Sequence, residues 1–324
     1  MVVRFERIAV VGGGYMGGGI AQTFAMNGFD CAVADASLEL AQASVERLQR
    51  ETEAYQSLGL FPCGALERVK THLSAARSIE EAVSDADYVA EAVPEDASLK
   101  KAVLARVATA ACSDAVITSN TSAIPISELA TTIQRQERFL GAHWMNPAPF
   151  VPCVEVIPTR ETDEAVVLDV MELLGRAGKR PTIVADSPGF VANRLQYTLF
   201  KECVRLVEEE IADPAQIDEV VRNSFGFRLP FFGPFAIADI AGLDVYRSGF
   251  ATMEKAYGER MSTPTLLTDL VSKGRLGAKS LGGTYDFDEA QAAEVAEFRD
   301  RAYNRLSHLR QELGELDLRR HHGE

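Results

Sequence analysis

Ile8-Ala9-Val10-Val11-Gly12-Gly13-Gly14-Tyr15-Met16-Gly17-Gly18-Gly19-Ile20-Ala21 is the stretch whose reading decides the fold. An apolar run of strand character passes straight into glycines, and apolar residues resume beyond them, which predicts strand, tight loop and helix in that order. Gly12, Gly14 and Gly17 satisfy G-x-G-x-x-G. In that pattern the first glycine makes the tight turn, the second lets backbone approach a pyrophosphate and the third lets helix pack closely on strand. The free N–H groups of the helix amino terminus then face the phosphates. A glycine-rich turn without a ligand is the competing reading, and the next apolar run weighs against it. That run, Cys31 to Asp35, ends in a carboxylate 23 residues beyond Gly12. An acid at about that distance hydrogen-bonds an adenosine ribose and repels a 2′-phosphate, which favours NAD over NADP.

Outward from this loop, short β-branched runs alternate with helix-like stretches up to about residue 186: Tyr88 to Ala92, Val116 to Ser119, Phe139 to His143, Val154 to Ile157 and Thr182 to Ala185. Such alternation predicts βαβ units on a mostly parallel sheet, an α/β Rossmann-type doubly wound domain over residues 1–186. Asp186-Ser187-Pro188 and Asp213-Pro214 each read as a capping residue followed by Pro in a first helical turn. Residues 187–287 then carry helical patterns only, an all-helical second domain. Over residues 288–324, Val295, Phe298, Ala302, Leu306, Leu309, Leu313 and Leu316 recur every three or four positions. They form the apolar stripe of one long helix, packed on its own domain or on a dimer mate.

Composition narrows the function classes. The 324 residues carry 33 Lys and Arg against 47 Asp and Glu, a net charge of −14, so no broad basic surface can neutralise a nucleic acid or an anionic membrane. Any anionic ligand must be held locally. Five scattered cysteines without C-x-x-C oppose a disulfide framework or zinc knuckle and fit a reducing cytoplasm. No apolar run approaches membrane-helix length, and the short run before the glycines is not a signal peptide.

Of five histidines, His72, His308, His321 and His322 sit in polar surroundings. His143 instead ends a strand, followed by Trp144-Met145-Asn146-Pro147-Ala148-Pro149 and a second strand with Glu155 among apolar residues. A hairpin centred on Pro149 makes His143 and Glu155 cross-strand neighbours. A carboxylate on one imidazole nitrogen fixes the tautomer and leaves the other nitrogen as a general base. A buried structural His–Glu pair is the alternative. Neither metal-ligand spacing nor a nucleophile motif occurs nearby.

The glycine loop, Glu95 and Lys100 in Pro94-Glu95-Asp96-Ala97-Ser98-Leu99-Lys100, Ser119-Asn120-Thr121-Ser122, the His143 to Pro147 run, Val154 to Ile157, Ser187 to Arg194 and Gly233-Pro234-Phe235 occur in this order. Together they resemble the L-3-hydroxyacyl-CoA dehydrogenases. The resemblance implies an amino-terminal NAD domain, an all-helical dimerisation domain and a homodimer. It implies that His143 is the base and Glu155 its partner, with Ser122 and Asn193 hydrogen-bonding the reacting oxygen and its surroundings. Cofactor-binding residues would be Gly12, Gly14, Tyr15, Met16, Gly17, Asp35 and Asn120, with Glu95, Lys100 and Lys279 along the nicotinamide half. The reaction implied interconverts a 3-hydroxyacyl-CoA, or a related hydroxy acid, with the keto compound.

Several residues depart from that pattern. Fatty acyl-CoA members carry lysines after the second strand to meet the CoA phosphates, whereas Glu51 to Arg68 holds none, leaving Arg68 and Lys70. Trp144 stands in place of the usual phenylalanine, and Arg228 lies in Phe225-Gly226-Phe227-Arg228-Leu229-Pro230 before Gly233-Pro234. Such an arginine resembles the branches acting on free acids, the L-gulonate and carnitine dehydrogenases. The His-Trp-x-Asn-Pro run and helical tail are similar to a relative oxidising a pyridine carboxylate. Trp144 and Arg228 are therefore candidate substrate residues, Arg228 as a bidentate carboxylate clamp or paired with one of the chain's own acids. A dehydrogenase of a small carboxylate-bearing alcohol and a non-enzymatic NAD-binding scaffold remain as alternatives.

Overall fold

The apolar run before the glycines forms β1 (Arg7–Val11), and the chain from Tyr15 turns at once into α1 (Tyr15–Met26). A computed structural model describes residues 5–314, and by its contacts the chain divides into two compact units between Phe200 and Lys201. In the first unit β2 (Asp30–Ala34), α2 (Leu38–Ser57), α3 (Ala65–His72), β3 (Leu73–Ala75), α4 (Ile79–Val83), β4 (Tyr88–Glu91), α5 (Ala97–Ala110), β5 (Val116–Ser119) and α6 (Ile126–Ala130) follow. It continues with β6 (Phe139–Trp144), β7 (Cys153–Pro158), α7 (Glu164–Arg176), β8 (Arg180–Ile183) and the start of α8 (Ala192–Glu208).

The eight strands form one sheet in the order β3-β2-β1-β4-β5-β6-β7-β8. All neighbours are parallel except β6 and β7, the hairpin read around Pro149. Order reverses between β1 and β4, and at such a switch point the carboxyl ends of adjacent strands part to leave a crevice. Alternate residues of each strand supply two separate cores. Ile8, Val10, Val33 and Tyr88 pack with Phe24 of α1 on one face, while Ala9, Val11, Val89 and Ile117 pack with Leu104 of α5 on the other. Each fully buried Val or Ile contributes about 1.5–3 kcal/mol of apolar burial. Helices on both faces therefore hold the strand ends rigidly where the glycine loop and His143 emerge.

Two local expectations need correction. The three residues of β3 are too few to show a period of two, and the alternation missed them. Asp186 does not begin a helix: α8 starts at Ala192, and the Asp186 carboxylate accepts the N–H groups of Ile126 and Ser127, both at 2.9 Å, capping α6 from far along the chain.

The second unit contains α9 (Pro214–Asn223), α10 (Phe225–Arg228), α11 (Pro234–Ala241), α12 (Leu243–Tyr257), α13 (Thr265–Ser272) and α14 (Glu289–Leu313). Asp213 does cap α9, and Gln216 returns the bond in a capping box. Among the described residues the only pairing of strand type here is at isolated bridges of Gly282 with Gly277 and Asp286. The tail stripe is α14, whose Ala302 is buried and whose Phe298 meets the Phe232 ring at 5.7 Å. Tyr303, outside the expected stripe, meets Phe227 at 5.6 Å, while Leu309 and Leu313 stay exposed. Leu316, His321 and His322 lie outside the described residues.

Candidate active site

Gly12 has φ +104°, and a Cβ there would stand 2.7 Å from the Ala92 carbonyl oxygen at the end of β4. A Cβ on Gly17 would lie 1.8 Å from the Gly12 oxygen, so α1 can approach the loop only without one. Gly14 differs, because a Cβ there would meet nothing within 4 Å. Its bare backbone faces a cavity of about 770 Å³ lined also by Tyr15, Met16, Asp35, Glu95, Asn120 and Ser122. This cradle fits a pyrophosphate approached by backbone. The Asp35 carboxylate accepts the N–H groups of Gly13 and Ala36, each at 2.7 Å, and so is held at the loop's edge. Behind the loop, Arg47 donates to the carbonyls of Gly13 at 3.0 Å and Gly14 at 3.4 Å, a buttress that the sequence reading did not include.

His143 and Glu155 are directly opposed in the β6–β7 register. Nδ1 of His143 lies 2.8 Å from Oε2 of Glu155, with both residues buried. A carboxylate only accepts, so Nδ1 carries the proton and the neutral ring has its lone pair on Nε2. The other carboxylate oxygen, Oε1, accepts the N–H groups of Val191 and Ala192 at 2.9 Å each, where α8 begins. Next along α8, Asn193 donates Nδ2–H to the Ser122 carbonyl at 2.9 Å. The α8 amino terminus thus ties His143, Glu155, Asn193 and Ser122 into one connected group.

Glu95 grips the other side of the Ser122 loop, accepting from the Thr121 hydroxyl at 2.6 Å and the N–H groups of Ser122 at 2.8 Å and Ala123 at 3.0 Å. Burial raises its pKa, but these donors and Lys100 outweigh burial and hold the carboxyl below its ordinary range. Lys100, expected along the nicotinamide half of the cofactor, is buried and paired with Glu95 of the cavity wall. It is 1% exposed, and its ammonium is surrounded by Glu91 at 2.9 Å, the Val93 carbonyl at 3.0 Å and Glu95 at 3.4 Å. Two of its N–H donors are thus spent on Glu91 and the Val93 carbonyl. Glu91, fully buried and also bonded by the Ser119 hydroxyl at 2.5 Å, was missed, since an acid at a strand end looks unremarkable before its lysine is located.

Trp144, the other aromatic candidate of the site, lies on the far side of the sheet from His143. Side chains alternate along β6, so the residue after His143 points to the opposite face, where Trp144 is 2% exposed against Phe24 at 5.5 Å. In this structure it packs as part of that core. Beside it, Lys179 is buried with its ammonium 5.3 Å from the indole ring centre, donating to the carbonyls of Ala148 and Val151. Burial pushes its pKa down to about 8.

Residues 7–187 match the family model for the 3-hydroxyacyl-CoA dehydrogenase NAD binding domain, and residues 189–287 match that for the 3-hydroxyacyl-CoA dehydrogenase C-terminal domain. The chain belongs to the 3-hydroxyacyl-CoA dehydrogenase family. As a member of it, the protein is an NAD-dependent oxidoreductase. The "Probable 3-hydroxybutyryl-CoA dehydrogenase" of Bacillus subtilis is 36% identical over 288 residues, 89% of this chain and 99% of that protein. The 5-formyl-3-hydroxy-2-methylpyridine 4-carboxylate 5-dehydrogenase of Mesorhizobium japonicum is 33% identical over 301 residues, 91% and 95% of the two chains. A solved 3-hydroxyacyl-CoA dehydrogenase from Archaeoglobus fulgidus superimposes with a TM-score of 0.78 at 28% identity, over 93% of this chain and 99% of that one. No helix among the described residues of this dehydrogenase is long and apolar enough to cross a membrane.

The remaining candidate residues of this family member lie in its second unit or on its surface. Lys279 pairs with Asp244 at 2.6 Å. Arg228 ends α10 half-buried, and among the described residues no carboxylate pairs with it, though its charge acts on the Tyr303 hydroxyl. Arg68 spends one N–H on the Met26 carbonyl at 3.2 Å, while Lys70 is exposed.

Proposed function

We propose that His143, oriented by Glu155, is the general base that removes the hydroxyl proton of a 3-hydroxyacyl substrate. The observation that carries this is the paired carboxylate: Oε2 accepts the imidazole Nδ1–H while Oε1 is fixed by two backbone N–H groups, so the imidazole presents Nε2 as its basic atom. NAD, when bound, supplies a hydride acceptor for the carbinol carbon. Gly12, Gly14 and Asp35 would hold it, with Tyr15, Met16, Glu95 and Asn120 along the cavity wall. The Ser122 hydroxyl, which has no protein partner among the described residues, and the second N–H of Asn193 serve as donors to the reacting oxygen. Glu95 keeps the Ser122 loop in place. His143→Ala is expected to lower turnover by about 10² to 10⁴-fold while leaving NAD affinity almost unchanged. Near-normal turnover in that variant defeats the assignment.

A second substrate reading, a small hydroxy acid without CoA, is favoured by one observation: the Mesorhizobium japonicum relative, 33% identical, is named for a pyridine carboxylate and not for a CoA thioester. A charge-assisted fork on a free carboxylate is worth about 1.5–3 kcal/mol, or roughly 10- to 100-fold in Michaelis constant on Arg228→Met. Following NADH absorbance with 3-hydroxybutyryl-CoA and a panel of free hydroxy acids separates the readings. Oxidation of the thioester alone, untouched by Arg228→Met, excludes the clamp.

A further inference from the structure

The cavity lined by the glycine loop has a far end that neither the sequence motifs nor the family resemblance assigns. With pyrophosphate at Gly14 and a ribose at Asp35, the lining left to meet the adenine ring includes Ala36, Arg77, Ile79, Leu99, Val103 and Arg106. Ile79 and Val103 are buried and Leu99 is partly exposed, so the wall offers an apolar slot of the kind a planar base fills.

Its two arginines are not equivalent. Arg106 is committed to Glu80 through Nε at 3.0 Å and Nη2 at 2.9 Å. The Arg77 side chain has neither a carboxylate nor any hydrogen-bond partner among the described residues, although its backbone is held: the Arg77 N–H goes to Glu81, and Ser78 caps α4 by accepting from the Glu81 N–H at 3.2 Å. A fixed backbone thus presents an unneutralised, planar cation at the cavity in a chain of net charge −14.

We propose that Arg77 is a cofactor-recognition residue that stacks its guanidinium on the adenine ring of NAD. A guanidinium plane suits a base face, because it is weakly hydrated along that face and attracted to the π-system. The 2′-phosphate of NADP is a poor alternative partner, since the Asp35 carboxylate lines the same end of the cavity. The proposal rests on NAD occupying this cavity, and the experiment separates the two.

Calorimetric titration of the full chain with NAD, ADP-ribose, NMN and NADP compares the unaltered protein with Arg77→Ala, Arg77→Gln and Asp35→Ala. Stacking of this strength corresponds to roughly 3- to 30-fold in affinity, and both Arg77 variants are expected to lose that for NAD and ADP-ribose while NMN is unaffected. Undiminished NAD and ADP-ribose binding in both Arg77 variants, with Asp35→Ala still weakened, overturns the arginine's role alone. Undiminished NAD binding in all three variants overturns the cavity assignment and the proposal with it. A loss confined to NADP also overturns it, in favour of phosphate recognition.

Discussion

Replacing Glu155 by Gln keeps the shape of the side chain and changes one thing, the ability to accept on both ends. The carboxylate now takes three hydrogen bonds, from His143 on Oε2 and from Val191 and Ala192 on Oε1. An amide has one accepting oxygen, and two fixed N–H donors on the α8 side outweigh one rotatable imidazole. The amide NH₂ therefore faces Nδ1, which must accept, and the imidazole proton moves to Nε2. The basic lone pair is then buried on the wrong side of the ring. Losing a positioned base costs about 10² to 10⁴-fold, and turnover should fall by that order in an NADH absorbance assay. Stability should fall less steeply. Two hydrogen bonds to α8 lose their charge assistance at about 1 kcal/mol each, which lowers Tm by roughly 4–8 °C at a few degrees per kcal/mol. NAD affinity should hold, because Asp35 and the glycine loop are untouched. A merely structural pair gives the opposite pattern, a lower Tm with turnover within about threefold of normal below the transition, and that result refutes the reasoning.

Asp35→Ala should narrow the preference for NAD over NADP by roughly 10- to 100-fold, the worth of a charge-assisted contact, and equal affinity of the unaltered protein for both cofactors contradicts the assignment. Lys179 predicts a pH effect on stability. Its folded pKa of about 8 lies below the ordinary 10.5, so between those values the unfolded chain holds more protons and stability rises with pH, by at most about 3 kcal/mol. A stability difference between the unaltered protein and Lys179→Met that stays flat from pH 8 to 10.5 in urea titrations counts against that burial cost. A homodimer is expected, since Leu195, Leu199, Phe200 and Val207 stand exposed along α8 and two-fold dimers are the commonest oligomers. Light scattering that finds only monomer at micromolar concentration rejects it.

What the sequence alone determined is what depends on neighbours along the chain. The tight turn and close helix approach at Gly12 and Gly17 were legible because each answers a constraint within a few residues, and the place of Asp35 at the loop's edge because one βαβ unit sets its distance from Gly12. His143 and Glu155 were legible for the same reason: a hairpin about Pro149 has a register that counting can reach. Tertiary structure decided the rest. That Lys100 is enclosed by Glu91 and Glu95, that Asp186 caps α6 and not α8, that Trp144 faces the Phe24 core while its neighbour His143 does not, and that Arg77 is left free where Arg106 is paired, all depend on which partner arrives from a distant element. A buried charge or polar group must find a partner or change its protonation, and packing, not spacing along the chain, brings that partner within about 3 Å.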